Sequence, residues 1–429
     1  MTIAITTATD HLSPKEIEAI NIAAIFTPGR RSSASHALNE EEEGAGNEWG
    51  LPLLWSGEPG TGKTTALEQL AKRCGLRPVT ISLAQCQAED IGGFPVPAKD
   101  RRSMTKLPDS WVSTVAGAPR SLLVIDEFSV DPDKQAAALK LFSERMAGEI
   151  RLPAGCRLMA ARNPEWCAAT PNTLSAPNAN RFGHGEWVAW GAEELGDFLC
   201  GLTASDEGET IDPVAHEAAV LEAWPEALAE ASALVAQYLR VFPAHVLCQP
   251  LGSYQDPKRG EADQLRWPSP RIWEMVTRAL ASGIVHRLSK REKDAFCAMF
   301  LPNGVASAFA RFRDEQDMAP PSEYLDGTAP LKLTKKVDRT WAIMQSTSAF
   351  VADPDCPKRL ERAKAWWALA AKVIGHPNGG ACMLVGPAKR LASKDGAGLG
   401  SDAIPEAGPV IDALLPVLKA AVRTRSSLT

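Results

Sequence analysis

A glycine-rich segment in the first part of the chain has the residue types and spacing of a phosphate-binding loop. It fits the pattern G-x-x-x-x-G-K-[ST] in full, with Gly57, Glu58, Pro59, Gly60, Thr61, Gly62, Lys63 and Thr64. Glycines let successive backbone N–H groups point at one anion, and the start of a helix adds partial positive charge there. A chance match in a turn is the weaker interpretation, because an apolar strand pattern precedes the loop and a helical pattern follows it.

The residue types at the positions of this loop indicate which ligand it would bind. We predict that the segment from Gly57 to Thr65 binds ATP as a magnesium complex. Lys63 would reach the β- and γ-phosphates, and the Thr64 hydroxyl would ligate Mg²⁺.

Two acidic residues follow a second apolar strand pattern, and the first of them lies 63 residues after Lys63. The carboxyl ends of parallel strands form the ligand-binding edge of an open α/β sheet. At that edge Asp126 would complete the Mg²⁺ shell, and Glu127 would orient and polarise the attacking water. An acidic turn after a strand is common by itself, but the upstream loop favours the paired role. The sequence therefore predicts an ATP hydrolase.

The elements that must position these residues follow an alternating pattern. We predict strands at 51–56, 78–83, 121–126, 157–161 and 186–190, and helices at 63–74 and 134–148. Beyond residue 191 helical patterns dominate, at 215–224, 225–241, 269–286, 289–312, 359–374 and 409–423. The predicted fold is α/β, with the parallel sheet of a P-loop NTPase followed by a mostly helical region.

Further segments resemble those of the AAA+ ATPases and, within them, the MoxR and dynein-related group. Asn163, before Pro164, resembles the polar residue that helps to position the attacking water (sensor 1). Arg181, between an asparagine and a phenylalanine, resembles the arginine that reaches the nucleotide of the neighbouring subunit. Arg271 resembles the arginine at the start of a lid helix that contacts the γ-phosphate (sensor 2). At the position of Arg162 the family more often has a small or amide residue, so this sequence departs from the family pattern there.

Each arginine also has an ordinary structural interpretation. Arg181 could form a surface ion pair, and Arg271 could be an exposed residue of a capped helix. The position of each after the preceding motifs favours the functional interpretation.

The segment 91–112 resembles the helix-2 insert of this group, which projects towards a central pore. Two short strands would join through a polar tip around Arg101 and Arg102. A surface hairpin with a solvated basic tip is the alternative. The segment 148–155 is a candidate for a second hairpin, before Asn163.

Residue patterns, together with the resemblance over about residues 51–286, predict the division of the chain. Residues 1–49 would form an N-terminal helix and a mobile acidic loop, and residues 50–192 the AAA+ nucleotide-binding domain with its insert. Residues 193–314 would form a helical lid, and residues 315–429 a C-terminal region without an assigned role.

The function implied by the resemblance is ATP-driven remodelling in a ring, with a hexamer favoured and the nucleotide between subunits. It also implies a chaperone-like action on a protein client and a partner that carries a von Willebrand factor A domain. One alternative is a nucleic-acid-dependent motor, suggested by Arg101, Arg102 and Lys106 and opposed by the net charge of −6. Another is a nucleotide-gated scaffold with little turnover, which the presence of Glu127 opposes.

Composition sets the remaining expectations. We find no apolar run long enough to cross a bilayer, and the first ten residues lack the pattern of a secretory signal, so we expect a cytoplasmic protein. The nine cysteines are scattered without a C-x-x-C pair, which predicts reduced thiols and neither a disulfide framework nor a zinc site.

Overall fold

The structure is a computed structural model that describes most of the chain. The described residues are 12–29, 48–100, 102–167, 174–188, 191–200, 210–247, 265–314, 318–331, 333, 337–376, 380–393 and 396–426. The predicted acidic loop with its glutamates at 40–43, and Arg101 at the predicted hairpin tip, lie outside these residues.

The chain forms two compact units. The first comprises Met1–Val220 and Leu247–Ser307, and the second comprises Leu221–Val246 and Ala308–Thr429. None of the helices in the described part of the chain combines the length and the apolar character that a membrane crossing requires.

The described part of the first unit contains nine strands. They are β1 (Leu53–Ser56), β2 (Arg77–Ser82), β3 (Phe94–Pro97), β4 (Met104–Leu107), β5 (Ser121–Asp126), β6 (Met146–Ala147), β7 (Ile150–Arg151), β8 (Cys156–Arg162) and β9 (Gly183–Glu186). Five of these strands form one parallel sheet, in the order β2-β5-β8-β1-β9. The central β8 is buried at every residue, as expected for a strand with helices on both faces of its sheet. The predicted α/β fold with a parallel sheet is confirmed.

Helices follow most of these strands and then dominate the chain. Those up to residue 200 are α1 (Pro14–Ile25), α2 (Lys63–Arg73), α3 (Ala88–Gly92), α4 (Ser110–Ala116), α5 (Pro132–Glu144), α6 (Ala176–Ala179) and α7 (Ala192–Leu199). The later ones are α8 (Pro213–Val241), α9 (Pro270–Val285), α10 (Lys290–Ala298), α11 (Asn303–Asp314), α12 (Pro321–Leu325), α13 (Val337–Ala352), α14 (Arg359–Ile374), α15 (Ala381–Ala392) and α16 (Gly408–Ser426). The predicted mostly helical region after the sheet is therefore present.

The structure differs from the predicted elements by more than a few residues in four places. The helix predicted at 134–148 ends at Glu144, because Arg145 takes a left-handed conformation and the chain then turns at Gly148 into the β6–β7 hairpin. The two helices predicted at 215–224 and 225–241 are one helix, α8, with Pro225 inside it. The helix predicted at 289–312 is instead α10 and α11, interrupted near Pro302, since proline cannot continue the backbone hydrogen bonding of a helix.

The strand predicted at 186–190 is the fourth case, because the actual strand, β9, spans Gly183–Glu186. Glycine is rare within strands, so a Gly-His-Gly sequence gives no strand signal. Packing requires the glycines nevertheless. A Cβ at Gly185 would lie 2.5 Å from a ring carbon of Trp55, and one at Gly183 would lie 2.6 Å from a ring carbon of Phe300.

The predicted insert forms an antiparallel hairpin of β3 and β4, with Phe94 opposite Leu107. Phe94, Met104 and Leu107 are 62%, 61% and 55% exposed, so the hairpin presents large apolar side chains to solvent. Residues 108–112, expected within the insert, instead lead into α4, which Asp109 caps through the backbone N–H of Trp111.

The core of the second unit contains a pair of fully buried tryptophans. Trp366 and Trp367 pack edge to face with their ring centroids 4.8 Å apart, and each indole N–H donates to a backbone carbonyl oxygen. Three helices of this unit, α12, α13 and α15, were not predicted.

Candidate functional site

The phosphate-binding loop connects β1 to α2, so the strand–loop–helix context required by its motif is present. Gly60 and Gly62 have φ values of 79° and 80°, a left-handed conformation that other residues adopt at a cost. A Cβ at either glycine would meet no atom within 4 Å. Glycine is therefore required here by the left-handed backbone and not by a lack of space for a side chain. The Thr61 hydroxyl donates to the Glu58 carbonyl oxygen at 2.8 Å and closes the turn.

Lys63 begins α2 and is buried beneath the loop. Its Nζ donates to the carbonyl oxygens of Gly57 and Glu58, both at 2.8 Å, and to Oδ1 of Asn163 at 3.2 Å. Burial lowers the pKa of Lys63, and the carboxylate of Asp126 acts in the opposite direction. Asn163 directly follows β8, so the parallel sheet brings its amide to the loop from 100 residues further along the chain.

Thr64 and Asp126 meet next to this lysine. The Thr64 hydroxyl donates to Oδ2 of Asp126 at 2.5 Å. A hydroxyl and a carboxylate are hard oxygen ligands of the kind that Mg²⁺ prefers, and Mg²⁺ commonly takes one or two protein ligands together with phosphate and water oxygens. The residues present therefore fit a magnesium ion. Thr65, the next residue of α2, is exposed.

Glu127 lies just beyond the end of β5 in a left-handed conformation, with φ of 53°. Its backbone N–H donates to Oδ1 of Asp126 at 2.7 Å. Its carboxylate accepts a short hydrogen bond from the hydroxyl of Ser82, the last residue of β2 and the register partner of Asp126. The turn thus directs the two acids apart, one towards Thr64 and the other towards Ser82.

Ser82 is a residue of this site that the sequence analysis missed. It belongs to none of the motifs, and a serine at the end of a strand is common. The one available signal was its place at the carboxyl end of a predicted strand, since all such ends in a parallel sheet share one edge.

Arg162, which departs from the family pattern, is buried at the end of β8. Its Nε donates to the hydroxyl of Ser56 at 2.7 Å, and these two residues are register partners in adjacent strands. Its carbonyl oxygen accepts from the N–H of Gly57 at 3.2 Å. Arg162 therefore connects β8 to the start of the phosphate-binding loop.

Arg181 and Arg271 lie together at another place in the first unit. Arg181 precedes β9 and donates to the carbonyl oxygen of Pro177. The hydroxyl of Ser269, which caps α9, donates to Oδ1 of Asn180 at 3.0 Å and so fixes the start of α9 beside Arg181. Burial and then the positive charge of Arg271 lower the pKa of Arg181.

The sheet separates these arginines from the phosphate-binding loop. Leu53 at the start of β1 pairs with Gly183 at the start of β9, so Arg181 precedes the amino end of the sheet. The loop follows Ser56, at the carboxyl end. A strand of this length spans roughly 10 Å. The candidate residues therefore form two clusters. The cluster at the carboxyl end of the sheet contains Lys63, Thr64, Asp126, Glu127 and Asn163. The cluster at the amino end contains Arg181 and Arg271.

A comparison with protein families covers part of the first cluster. Residues 53–148 match the model of the ATPase family associated with various cellular activities (AAA). The match includes the phosphate-binding loop and both acids but neither Asn163 nor the two arginines. No curated protein matches the chain. The chain therefore has an AAA ATPase domain at its phosphate-binding loop.

A structural comparison finds a candidate ATPase from Cytophaga hutchinsonii, known from its crystal structure. It is similar to 61% of this chain over 84% of its own length, at 14% sequence identity and a TM-score of 0.41. A likeness at this level carries no argument about activity or assembly.

Proposed function

We propose that this protein is an ATP-hydrolysing remodelling motor that works as a ring, with each nucleotide between two subunits. The observation that supports it most is the hydrogen-bonded cluster at the carboxyl edge of the sheet. There Lys63 contacts Asn163 at 3.2 Å and Thr64 contacts Asp126 at 2.5 Å, while Glu127 extends from the adjoining turn. These are the groups that phosphoryl transfer to water requires in one place.

The residues of this cluster would divide the work of hydrolysis. The backbone N–H groups from Gly57 to Gly62 and the ammonium of Lys63 would hold the phosphates. Thr64 and Asp126 would hold Mg²⁺, which when bound neutralises charge on the β- and γ-phosphates. Glu127 would orient and polarise the attacking water, with Asn163 assisting its placement.

The opposite edge of the sheet supports a second part of the proposal. Arg181 and Arg271 are separated from the phosphate-binding loop of the same subunit by about the length of β1. This separation suits groups that act on the nucleotide of a neighbouring copy. An arginine delivered in this way stabilises charge that spreads over the transferring phosphoryl oxygens. A closed ring gives every site such a neighbour, and we propose a hexamer.

The proposed client is a protein. The β3–β4 hairpin exposes Phe94, Met104 and Leu107, and large apolar side chains suit contact with an unfolded polypeptide better than with a phosphate backbone. The further parts of the proposal, a chaperone-like role, a partner with a von Willebrand factor A domain and a cytoplasmic location, rest on the resemblance of the motifs.

The proposal has a direct test in the intact protein. We expect the purified chain to retain labelled ATP when Mg²⁺ is present and to release phosphate at steady state. Lys63→Ala should lose retention and turnover together, because the variant lacks the ammonium that would bind the phosphates. Turnover in Lys63→Ala equal to that of the wild type would remove this cluster as the site, and binding without phosphate release in the wild type would favour the scaffold.

Ser82 provides a finer test of the same mechanism. We expect Ser82→Ala to lower kcat by about three- to tenfold, because Glu127 loses the hydroxyl that fixes its carboxylate. The KM for ATP should stay within about twofold, since Ser82 contacts Glu127 and not the loop. Steady-state phosphate release at varied ATP measures both constants. Ser82→Thr, which keeps the hydroxyl, should recover most of the rate, and an unchanged kcat in Ser82→Ala would contradict the role.

A further inference from the structure

Trp187, the first residue after β9, contacts the phosphate-binding loop near both of its ends. Its backbone N–H donates to the carbonyl oxygen of Ser56 at 2.7 Å. Its indole Nε1–H donates to the carbonyl oxygen of Thr61 at 3.2 Å. A Cβ at Gly57 would lie 2.7 Å from the Trp187 carbonyl oxygen, so the loop passes directly over the tryptophan backbone. One residue therefore bridges the loop from its beginning to its last turn.

The indole of Trp187 has a rigid support. The ring of Trp55 meets it edge to face, with centroids 5.6 Å apart and an interplanar angle of 87°. Trp55 is fully buried, and its own Nε1–H donates to Oδ1 of Asn21, a buried residue of α1, at 3.0 Å. A shift of Trp55 would leave buried polar groups without their partners, which is costly. The position of the Trp187 indole is thus determined by β1 and α1.

The geometry of the peptide bond gives this contact a consequence for the nucleotide. The Thr61 carbonyl and the Gly62 N–H belong to one planar trans peptide and point in opposite directions. An indole that holds the carbonyl on the tryptophan side therefore directs the Gly62 N–H towards the other side. That side is where the loop would receive the phosphates.

We propose that Trp187 is a positioning residue for the nucleotide, acting on the orientation of the Thr61–Gly62 peptide. The inference rests on the proposed nucleotide site and adds a residue outside both the loop motif and the matched AAA segment, which ends at residue 148. Trp187 orders the loop before the phosphates arrive, so it sets the affinity for nucleotide.

The variant Trp187→Phe tests the hydrogen bond while retaining an aromatic ring against Trp55. The Kd for N-methylanthraniloyl-ADP, measured with Mg²⁺ by fluorescence titration, should rise by about three- to tenfold. The unfolding midpoint without nucleotide should stay close to the wild-type value. The matched control is Trp341→Phe, which changes a partly buried tryptophan in the second unit and should leave the Kd unchanged.

A spectroscopic measurement separates positioning from a merely structural role. With all twelve tryptophans labelled as 5-fluorotryptophan, the ¹⁹F resonance absent from Trp187→Phe belongs to Trp187. Saturating Mg²⁺–ADP should shift this resonance in the wild-type chain, because the phosphates polarise the peptide that the indole contacts. Trp187→Tyr gives the same assignment if the phenylalanine variant does not fold.

The outcomes distinguish this inference from the proposed function. A wild-type chain that retains no nucleotide overturns both. A wild-type chain that binds ADP, together with a Trp187→Phe variant of equal Kd or a Trp187 resonance that stays in place at saturation, overturns the positioning role alone.

Discussion

Arg181→Ala is expected to abolish ATP turnover while leaving ATP binding nearly intact. Arginines that act across a subunit boundary contribute about 10³- to 10⁵-fold to the rate of phosphoryl transfer. The side chain lies at the amino end of the sheet, whereas its own loop lies at the carboxyl end, so the Kd for ATP should change by less than about twofold. Steady-state phosphate release and titration with labelled ATP measure the two effects.

A mixing experiment makes this prediction specific to neighbouring copies. Arg181→Ala subunits have an intact loop, and Lys63→Ala subunits supply an intact Arg181, so a mixture of the two inactive variants should recover turnover. The matched control is Arg77→Ala, because Arg77 is an exposed arginine at the same sheet edge, on the far strand β2. It should keep wild-type turnover. An active Arg181→Ala variant, or mixtures as inactive as their components, would rule out the trans arrangement.

The second large effect is expected from Glu127→Gln. Removal of the group that polarises the attacking water should lower kcat by about 10²- to 10⁴-fold. The amide oxygen can still accept from the Ser82 hydroxyl, so the turn after β5 should keep its conformation and ATP should remain bound. Single-turnover phosphate release gives the rate, and filter retention of labelled ATP gives the binding.

The same variant should trap the assembled state. Size-exclusion chromatography with ATP and Mg²⁺ is expected to show Glu127→Gln as a stable oligomer, and a double variant that also carries Lys63→Ala should lose that species. Glu144→Gln, an exposed acid at the end of α5, is the matched control and should behave as the wild type. Turnover within tenfold of the wild type in Glu127→Gln would refute the assigned role. Proteins that co-purify with the trap identify client and partner.

Local sequence patterns predicted the structure correctly where the backbone conformation or the burial of a residue restricts its type. The loop needs glycine at positions such as Gly60 and Gly62 because their backbone is left-handed, and that requirement is visible in the sequence. The strand at 121–126 was predicted with its observed boundaries, because a strand buried on both faces must be apolar along its whole length.

Other predictions failed where packing overrode local preference. The strand β9 contains a Gly-His-Gly sequence, and its glycines are required by the rings of Trp55 and Phe300, which come from distant parts of the chain. Two predicted helices likewise form one helix, α8, with Pro225 inside it. Helix propensity alone disfavours proline at such a position.

The sequence by itself determined the parallel α/β fold and a phosphate-binding loop paired with Asp126 and Glu127, because spacing along the chain is enough to specify them. Tertiary structure alone decided which side chains outside the sequence motifs reach this site. Ser82 contacts Glu127 from the end of β2, and Trp187 contacts the loop from the end of β9, while Arg181 lies at the opposite end of the sheet. The physical reason is that the order of strands in a sheet brings together residues far apart in the chain, and no local pattern encodes that order.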